Sequence, residues 1–311
     1  MAGVLEPGST FAGHHVDQLV GRGGMAEVYE ATPAGSDEPV ALKVISPAFA
    51  GDIQFRARFE RESRVAMEIK SPHVVGVHEA GEFEGSLYMT MDYIDGPDLA
   101  GVLLAAGRLH PCHAALVVSQ VAAGLDAAAE HGLVHRDVKP GNVFLESTGD
   151  EPHAYLGDFG LSKHVSSTSG LTATGQWVGT VDYAAPEQIQ GEAVDHRTDV
   201  YALGALLHSL LTGDVPYPRQ RDVDKLIAHI TEPPPRPSEV VSGVPAEFDA
   251  VCTCAMAKQP GERYGAAVEL GRAALEAAES AKPAPVWSLN MRYDTPDMDP
   301  DAPTVTGEGP V

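Results

Sequence analysis

The apolar residues of this chain change their period at Gly96. Ahead of it they alternate in short runs, as strands require; beyond it they return every three or four residues, as helices require. A single switch of that kind implies a small sheet-rich half followed by a larger helical half. Val40-Ala-Leu-Lys-Val-Ile45 is the clearest strand, with Ala41, Lys43 and Ile45 on one face and Val40, Leu42 and Val44 on the other. Leu87 to Tyr93 reads as another strand, stopping at Asp95-Gly96-Pro97.

One helix interrupts the strands. From Gln54 to Lys70, the residues Phe55, Phe59, Glu62, Ala66 and Ile69 fall on a single helical stripe. Glu62 is its only charge, and a carboxylate on an inward-facing stripe is costly unless a cation meets it. Beyond Gly96, Pro111 to Glu130 is a long Ala-rich amphipathic helix. Tyr201 to Leu211 is apolar nearly all round, which suits a helix at a domain centre. Phe248 to Ala257 and Ala266 to Ala281 complete the helical part, with the polyproline-like run Glu232 to Pro237 as a connector. Residues 1–10 read as a loose leader. Residues 281–311, rich in Pro and Asp and poor in apolar side chains, read as a disordered acidic tail.

Charge narrows the possibilities. With 21 Lys+Arg against 44 Asp+Glu the net charge is −23, the wrong sign for coating nucleic acid or for a polybasic membrane anchor. The apolar run Ala114 to Ala129 is broken by Ser119, Gln120 and Asp126, so no membrane span is expected. The N-terminus lacks the basic and apolar regions of a signal peptide. Cys112, Cys252 and Cys254 have neither zinc nor redox spacing and are expected as reduced thiols in the cytoplasm.

Three groups of residues carry chemistry. Gly21-Arg-Gly-Gly-Met-Ala-Glu-Val28 is a glycine-rich turn whose N–H groups could close over phosphates with no Cβ in the way. A plain hairpin has similar composition. A dinucleotide fold needs a helix directly after the glycines, but Thr32-Pro-Ala-Gly35 suits a strand and turn. Lys43 is the second group: alone it would face solvent, but Glu62 offers it a counter-charge. A Lys43–Glu62 pair at the back of a cleft would aim the ammonium at phosphates. The third is His135-Arg-Asp-Val-Lys-Pro-Gly-Asn142 with Asp158-Phe-Gly160 downstream. Its carboxylates and carboxamide are hard oxygen donors, suited to Mg²⁺ rather than zinc.

In this order, and with Ala185-Pro-Glu187 after them, these motifs give a sequence that resembles the bacterial eukaryotic-like (Hanks-type) serine/threonine protein kinases, the PknB-like group in particular. The resemblance covers residues 11–280. It implies an α+β bilobal fold: a small antiparallel sheet lobe with one helix over 11–94 and a larger, mainly helical lobe over 95–280. It implies transfer of the γ-phosphoryl group of ATP, with Mg²⁺ or Mn²⁺, to Ser and Thr hydroxyls of proteins. Asp137 would act as base, Lys139 would steady the γ-phosphoryl, and Asn142 and Asp158 would hold metal. Lys43, placed by Glu62, would bind the α- and β-phosphates under Gly21, Gly23 and Gly24.

The same resemblance puts Met91 at the gatekeeper and gives the adenine edge to the carbonyl of Asp92 and the N–H of Ile94. Val28, Ala41 and Phe144 would enclose the ring, and Asp98 would meet the ribose. Asp199 would brace the catalytic loop, and Glu187 and Arg263 would form a structural ion pair. Thr172 and Thr174 stand where PknB-like kinases autophosphorylate, with Arg136 placed to receive the phosphate and Thr180 to contact Asp137 and Lys139. The tail reads first as inert, with Thr304 and Thr306 as the alternative, marks for phosphothreonine-binding partners. Ala26 departs from the glycine pattern, adding a methyl near the γ-phosphate. A pseudokinase lacks residues that are present here. A small-molecule kinase generally lacks the Ala-Pro-Glu segment.

Overall fold

The computed structural model describes residues 5–147, 151–159, 181–284 and 286–287. The first part of the chain forms β1 (Thr10–Phe11), β2 (His14–Arg22), β3 (Ala26–Pro33), β4 (Val40–Ile45), α1 (Pro47–Ala50), α2 (Ile53–Glu68), β5 (Val77–Phe83) and β6 (Ser86–Asp92). The strands make one antiparallel sheet in the order β1-β2-β3-β4-β6-β5. Both faces of that sheet are buried, and the alternation along β4 divides them. Ile45 belongs to one apolar cluster with Phe55, Phe59, Met89 and Met91, packed under α2. Leu42 belongs to another with Phe11, Val16, Tyr29 and Tyr88.

That second face corrects the expected leader. Residues 5–9 are not loose: Gly8 donates to Val16 O at 2.8 Å, Val16 donates back to Ser9 O at 2.9 Å, and Leu5 packs on the cluster. The apolar outer face of β4 needs a cover, and these residues supply it. The small lobe also holds a short helix besides the expected one, α1, begun by Pro47 at a position where the missing N–H costs nothing.

The larger lobe contains α3 (Leu99–Ala106), α4 (Pro111–Glu130), β7 (Val143–Ser147), β8 (Pro152–Leu156), α5 (Pro186–Gln190), α6 (His196–Thr212), α7 (Asp222–Thr231), α8 (Pro237–Val240), α9 (Glu247–Ala255) and α10 (Ala267–Ala278). β7 and β8 form a two-stranded antiparallel sheet. α6 is the central helix, with every residue from Thr198 to Leu211 buried. Close approach depends on glycine: a Cβ on Gly204 would lie 2.5 Å from that of Ala255 in α9. α4 is long and apolar enough to cross a membrane by length and composition, yet its Ala114, Val117, Val118, Val121 and Ala122 are fully buried in this core. The expected tail also starts later than position 281. Trp287 is 4% exposed and meets His113 of α4 edge-on at 5.1 Å.

Glu187 and Arg263 lock the base of this lobe. Arg263 donates from both terminal nitrogens to the two Glu187 oxygens at 2.7 Å each, and Thr198 adds a bond of 2.8 Å. Burial alone would raise the Glu187 carboxyl, but Arg263 outweighs it and holds the group below its ordinary 4.5. The pair's contribution is therefore fully present above pH 4.5 and is lost as pH falls through the lower folded value. Arg263→Met, which leaves the acid buried and alone, should cost about 3–5 kcal/mol at pH 7. Denaturant titration checks this; the gap to the native chain should narrow in acid, where Glu187 protonates.

Candidate active site

The site is assembled on the segment between α4 and β7 and on the residues after β8. Asp199, near the start of α6 and 4% exposed, accepts the backbone N–H groups of His135 and Arg136 at 2.7 Å each. Burial raises the Asp199 carboxyl, against the pull of those N–H groups and of the nearby Arg136. His135 then ties the segment to β8. Its Nε2 meets Gly157 O at 2.9 Å and its Nδ1 meets the Asp137 N–H at 3.2 Å. A carbonyl only accepts and an amide N–H only donates, so these two contacts fix the neutral Nε2–H tautomer.

Asp137 is thereby held in the cleft. Its Oδ2 accepts from Lys139 Nζ at 2.9 Å and from Asn142 Nδ2 at 3.1 Å, and Asn142 Nδ2 also reaches the Asp137 carbonyl at 2.8 Å. The Asn142 amide nitrogen is occupied, so its Oδ1 is the atom left for a cation. Asp158 lies across from this group with φ +56. Its Oδ1 accepts from Lys43 Nζ at 2.6 Å, joining β4 to the end of β8. Burial would raise the Asp158 carboxyl, but the Lys43 charge and hydrogen bond take it below the ordinary range.

Here the expected Lys43–Glu62 pair is corrected. Among the described residues Lys43 pairs with Asp158, whereas Glu62, 8% exposed on α2, pairs with Arg61 at 3.3 Å. The stripe that buries Glu62 is as expected, but the cation meeting it comes from the same helix. Arg136 stands nearby: burial lowers its guanidinium, and Glu62 and Asp199 oppose that shift. Its Nε is buried without a partner among the described residues.

The glycine-rich segment is the β2–β3 hairpin, with Gly21 opposite Val28 and Gly23 N–H bonded to Ala26 O at 2.9 Å. A Cβ on Gly21 or Gly24 would meet nothing within 4 Å. The fold itself therefore does not require glycine there, and the open space is what a phosphate cradle needs. Ala26 shares the sheet face of Val28 and Lys43 by register and is 8% exposed, in the apolar cluster that also holds Ala41 and Met91.

Val28, Ala41 and Lys43 share a sheet face by register, and Ala41 stands opposite Met91. Ala41, Met91, Ile94 and Phe144 belong to one apolar cluster. Asp98 caps α3 by accepting the Gly101 N–H at 2.7 Å. The Asp92 side chain, which the sequence reading did not use, accepts Gly76 N–H at 2.8 Å and meets His78 at 2.9 Å, pinning the segment after β6 to the start of β5. Gln188, also missed, donates to Arg136 O at 3.0 Å. Both roles depend on folding partners distant in sequence, so no local pattern announces them. Thr172, Thr174, Thr180, Thr304 and Thr306 lie outside the described residues.

Residues 14–272 match the protein kinase domain family. The chain belongs to that family. It is 42% identical over 293 residues to the serine/threonine-protein kinase PknD of Mycobacterium tuberculosis, covering 94% of this chain and 43% of that one. PknH of Mycobacterium bovis is 42% identical over 270 residues, covering 87% and 45%. The kinase domain of Mycobacterium tuberculosis PknI, known from its crystal structure, superposes with a TM-score of 0.71 at 36% identity, covering 89% of this chain and all of that domain. The kinship is with bacterial Hanks-type serine/threonine kinases. This chain spans less than half the length of those curated relatives.

Protein kinases use ATP and a divalent metal, and Gly157 supplies a test of how the cleft is packed. A Cβ there would stand 2.8 Å from the Phe144 ring. Gly157→Ala must displace that ring or the adjoining Asp158, at a cost of about 1–3 kcal/mol. Denaturant titration checks this; unchanged stability would show that Phe144 has room to yield.

Proposed function

We propose that the chain is an active serine/threonine protein kinase of the PknB-like kind, working in the cytoplasm on protein hydroxyls. The observation that carries this reading is the Asp137 carboxylate, held between Lys139 and Asn142 and facing the Asp158–Lys43 pair. Asp137 accepts or orients the proton of a Ser or Thr hydroxyl, which attacks the γ-phosphorus of ATP as ADP leaves. Lys139 is already within reach of the same carboxylate, where it can neutralise charge on the group in transfer. Catalysis of this sort is mostly positioning and charge neutralisation.

Asp158 and the free oxygen of Asn142 are the donors for a divalent cation, Mg²⁺ or Mn²⁺. Two hard protein oxygens leave the remaining positions to phosphate and water, the habit of Mg²⁺. Among the described residues no group of three His, Cys, Asp or Glu forms a metal cage, which fits a metal that arrives with a nucleotide. When bound, the metal neutralises phosphate charge. Gly21, Gly23 and Gly24 lie over the phosphates, and Lys43 turns from Asp158 toward the α- and β-phosphates. The adenine ring lies among Val28, Ala41, Met91 and Phe144, with its edge on the Asp92 carbonyl and the Ile94 N–H, and the ribose beside Asp98.

We further propose autophosphorylation at Thr172 or Thr174, with Arg136 receiving the phosphate and Thr180 contacting Asp137 and Lys139. The Arg136 Nε, without a partner among the described residues, supports this, as a guanidinium binds phosphate strongly. Phosphothreonines on the chain, Thr304 and Thr306 included, would then recruit phosphothreonine-binding partners.

Incubation with labelled ATP, Mg²⁺ and a generic protein acceptor should label both the acceptor and the chain. Asp137→Asn should lower the rate about 10²–10⁴-fold. An Asp137→Asn protein as active as the parent removes the base assignment, and label on a small molecule but on no protein removes the substrate class. Phosphopeptide mapping of the labelled chain should find phosphate on Thr172 or Thr174; both threonines unmodified would overturn the regulatory part.

A further inference from the structure

A continuous line of hydrogen bonds runs from the segment ahead of the sheet to the glycine-rich hairpin. The Leu5 N–H donates to Tyr29 Oη at 3.0 Å. The Tyr29 hydroxyl in turn donates to Glu27 Oε2 at 2.5 Å. The other oxygen of the same carboxylate, Oε1, meets Arg22 Nε at 2.9 Å. Arg22 and Glu27 stand directly opposite each other across β2 and β3, as the last ladder pair before the turn. Tyr29 Oη accepts on a lone pair while donating its hydrogen, and Glu27 gives a separate oxygen to each partner, so all three links hold at once.

The surroundings give this line its stiffness at one end and its consequence at the other. Tyr29 is fully buried, with Leu5, Phe11 and Val16 in its cluster. Burial and the bond to Glu27 push its phenol up to about 12, so it remains a donor at any physiological pH. At the far end the β3 side of the hairpin is tied to β4, with Ser46 N–H donating to Met25 O at 2.8 Å, so the thinly held side is β2. The β2–β3 register slips between Val16 and Gln18 and again between Leu19 and Gly21. Leu19 and Val20 are 37% and 53% exposed, so side-chain packing there is thin. By alternation, Glu27 and Tyr29 lie on the face opposite Val28 and Lys43. The line therefore braces the hairpin from outside and leaves the cleft side free.

We propose that Leu5, Tyr29, Glu27 and Arg22 form a brace by which the N-terminal segment holds the glycine-rich hairpin over the nucleotide, making Tyr29 a positioning residue for ATP binding. The proposal rests on the reading that this hairpin covers ATP. A hairpin released from the brace samples more conformations, and ordering it again on nucleotide binding costs affinity, while the groups around Asp137 are untouched.

Steady-state kinetics on the full chain at saturating protein acceptor tests it. Tyr29→Phe, which keeps the ring and removes the hydroxyl, should raise the KM for ATP about three- to tenfold, the equivalent of one hydrogen bond, with kcat within about twofold. Glu27→Gln should act alike. Leu5→Pro, which deletes the N–H donor together with the Leu5 side chain's packing on the cluster, should move KM the same way. Tyr88→Phe is the control: Tyr88 belongs to the same cluster and bonds a glutamate, Glu79, at 2.6 Å, but has no link to the hairpin. Its KM should not change.

The brace is overturned if Tyr29→Phe and Glu27→Gln leave the KM for ATP unchanged, or lower kcat alone as a smaller folded fraction would. It is equally overturned if Tyr88→Phe raises KM as much, for then any softening of the cluster suffices. Gly24→Val separates the two levels. If it raises KM while Tyr29→Phe does not, the hairpin covers ATP and only the brace fails; if it leaves KM unchanged, the nucleotide reading fails and the brace with it.

Discussion

The ion pair between Lys43 and Asp158 is the contact on which the cleft depends. It joins the middle of the small-lobe sheet to the residue that follows β8, at 2.6 Å. Neither group could stand there alone. The Lys43 side chain is 10% exposed, and an ammonium so placed needs an acid beside it. Two acids are in contention, Asp158 and Glu62. Glu62 is buried on α2 and has its own cation in Arg61, so Asp158 takes the lysine. The arrangement is electrically closed without ligand. On the proposed function, nucleotide binding would exchange partners at both ends of this one salt bridge, phosphate for Asp158 at Lys43 and a cation for Lys43 at Asp158.

Much of the fold was legible because the apolar pattern had no competing solution. α4 runs from Pro111 to Glu130 as expected, since Pro111 suits a first helical position and His131-Gly132 ends the run. The stripe Phe55, Phe59, Glu62, Ala66 and Ile69 is buried throughout. What was not legible depends on tertiary approach. The strands β7 and β8 have five residues each, too short for periodicity to speak. The ordered residues 5–9 did leave a signal: Val40, Leu42 and Val44 form an apolar outer face that something had to cover. Trp287 left one too, as a large aromatic in an otherwise polar stretch. Composition averaged over the stretch concealed it.

The site residues were legible as a set but not as a circuit. Asp137, Lys139, Asn142, Asp158 and Lys43 come together, yet no spacing rule states that Lys43 bonds Asp158 while Glu62 bonds Arg61. That choice is settled by where α2 sits against the sheet, which is a matter of how Phe55, Phe59 and Ala66 pack. The net charge of −23 is consistent with this economy. Among the described residues two cleft cations are committed at close range, Lys43 to Asp158 and Lys139 to Asp137.

Backbone geometry shows how the cleft keeps its shape. Arg136 and Asp158 both have positive φ, at +65 and +56, a region that costs residues with a Cβ of order 1–3 kcal/mol. Each is held there by a group already described. Asp199 takes the Arg136 N–H together with that of His135, and Lys43 takes the Asp158 carboxylate. His135 ties the two turns together through Gly157, and the absence of a Cβ at Gly157 lets Phe144 lie against it. The residue before Asp158 thus lies against a side chain assigned to the adenine pocket, while Asp158 itself is assigned to metal. A change at Gly157 therefore acts on Phe144 and on Asp158 at once. The strain at positions 136 and 158 is stored where relaxing it would separate Asp137 from Asp158, and Asp199 and Lys43 are the two side chains that hold those positions.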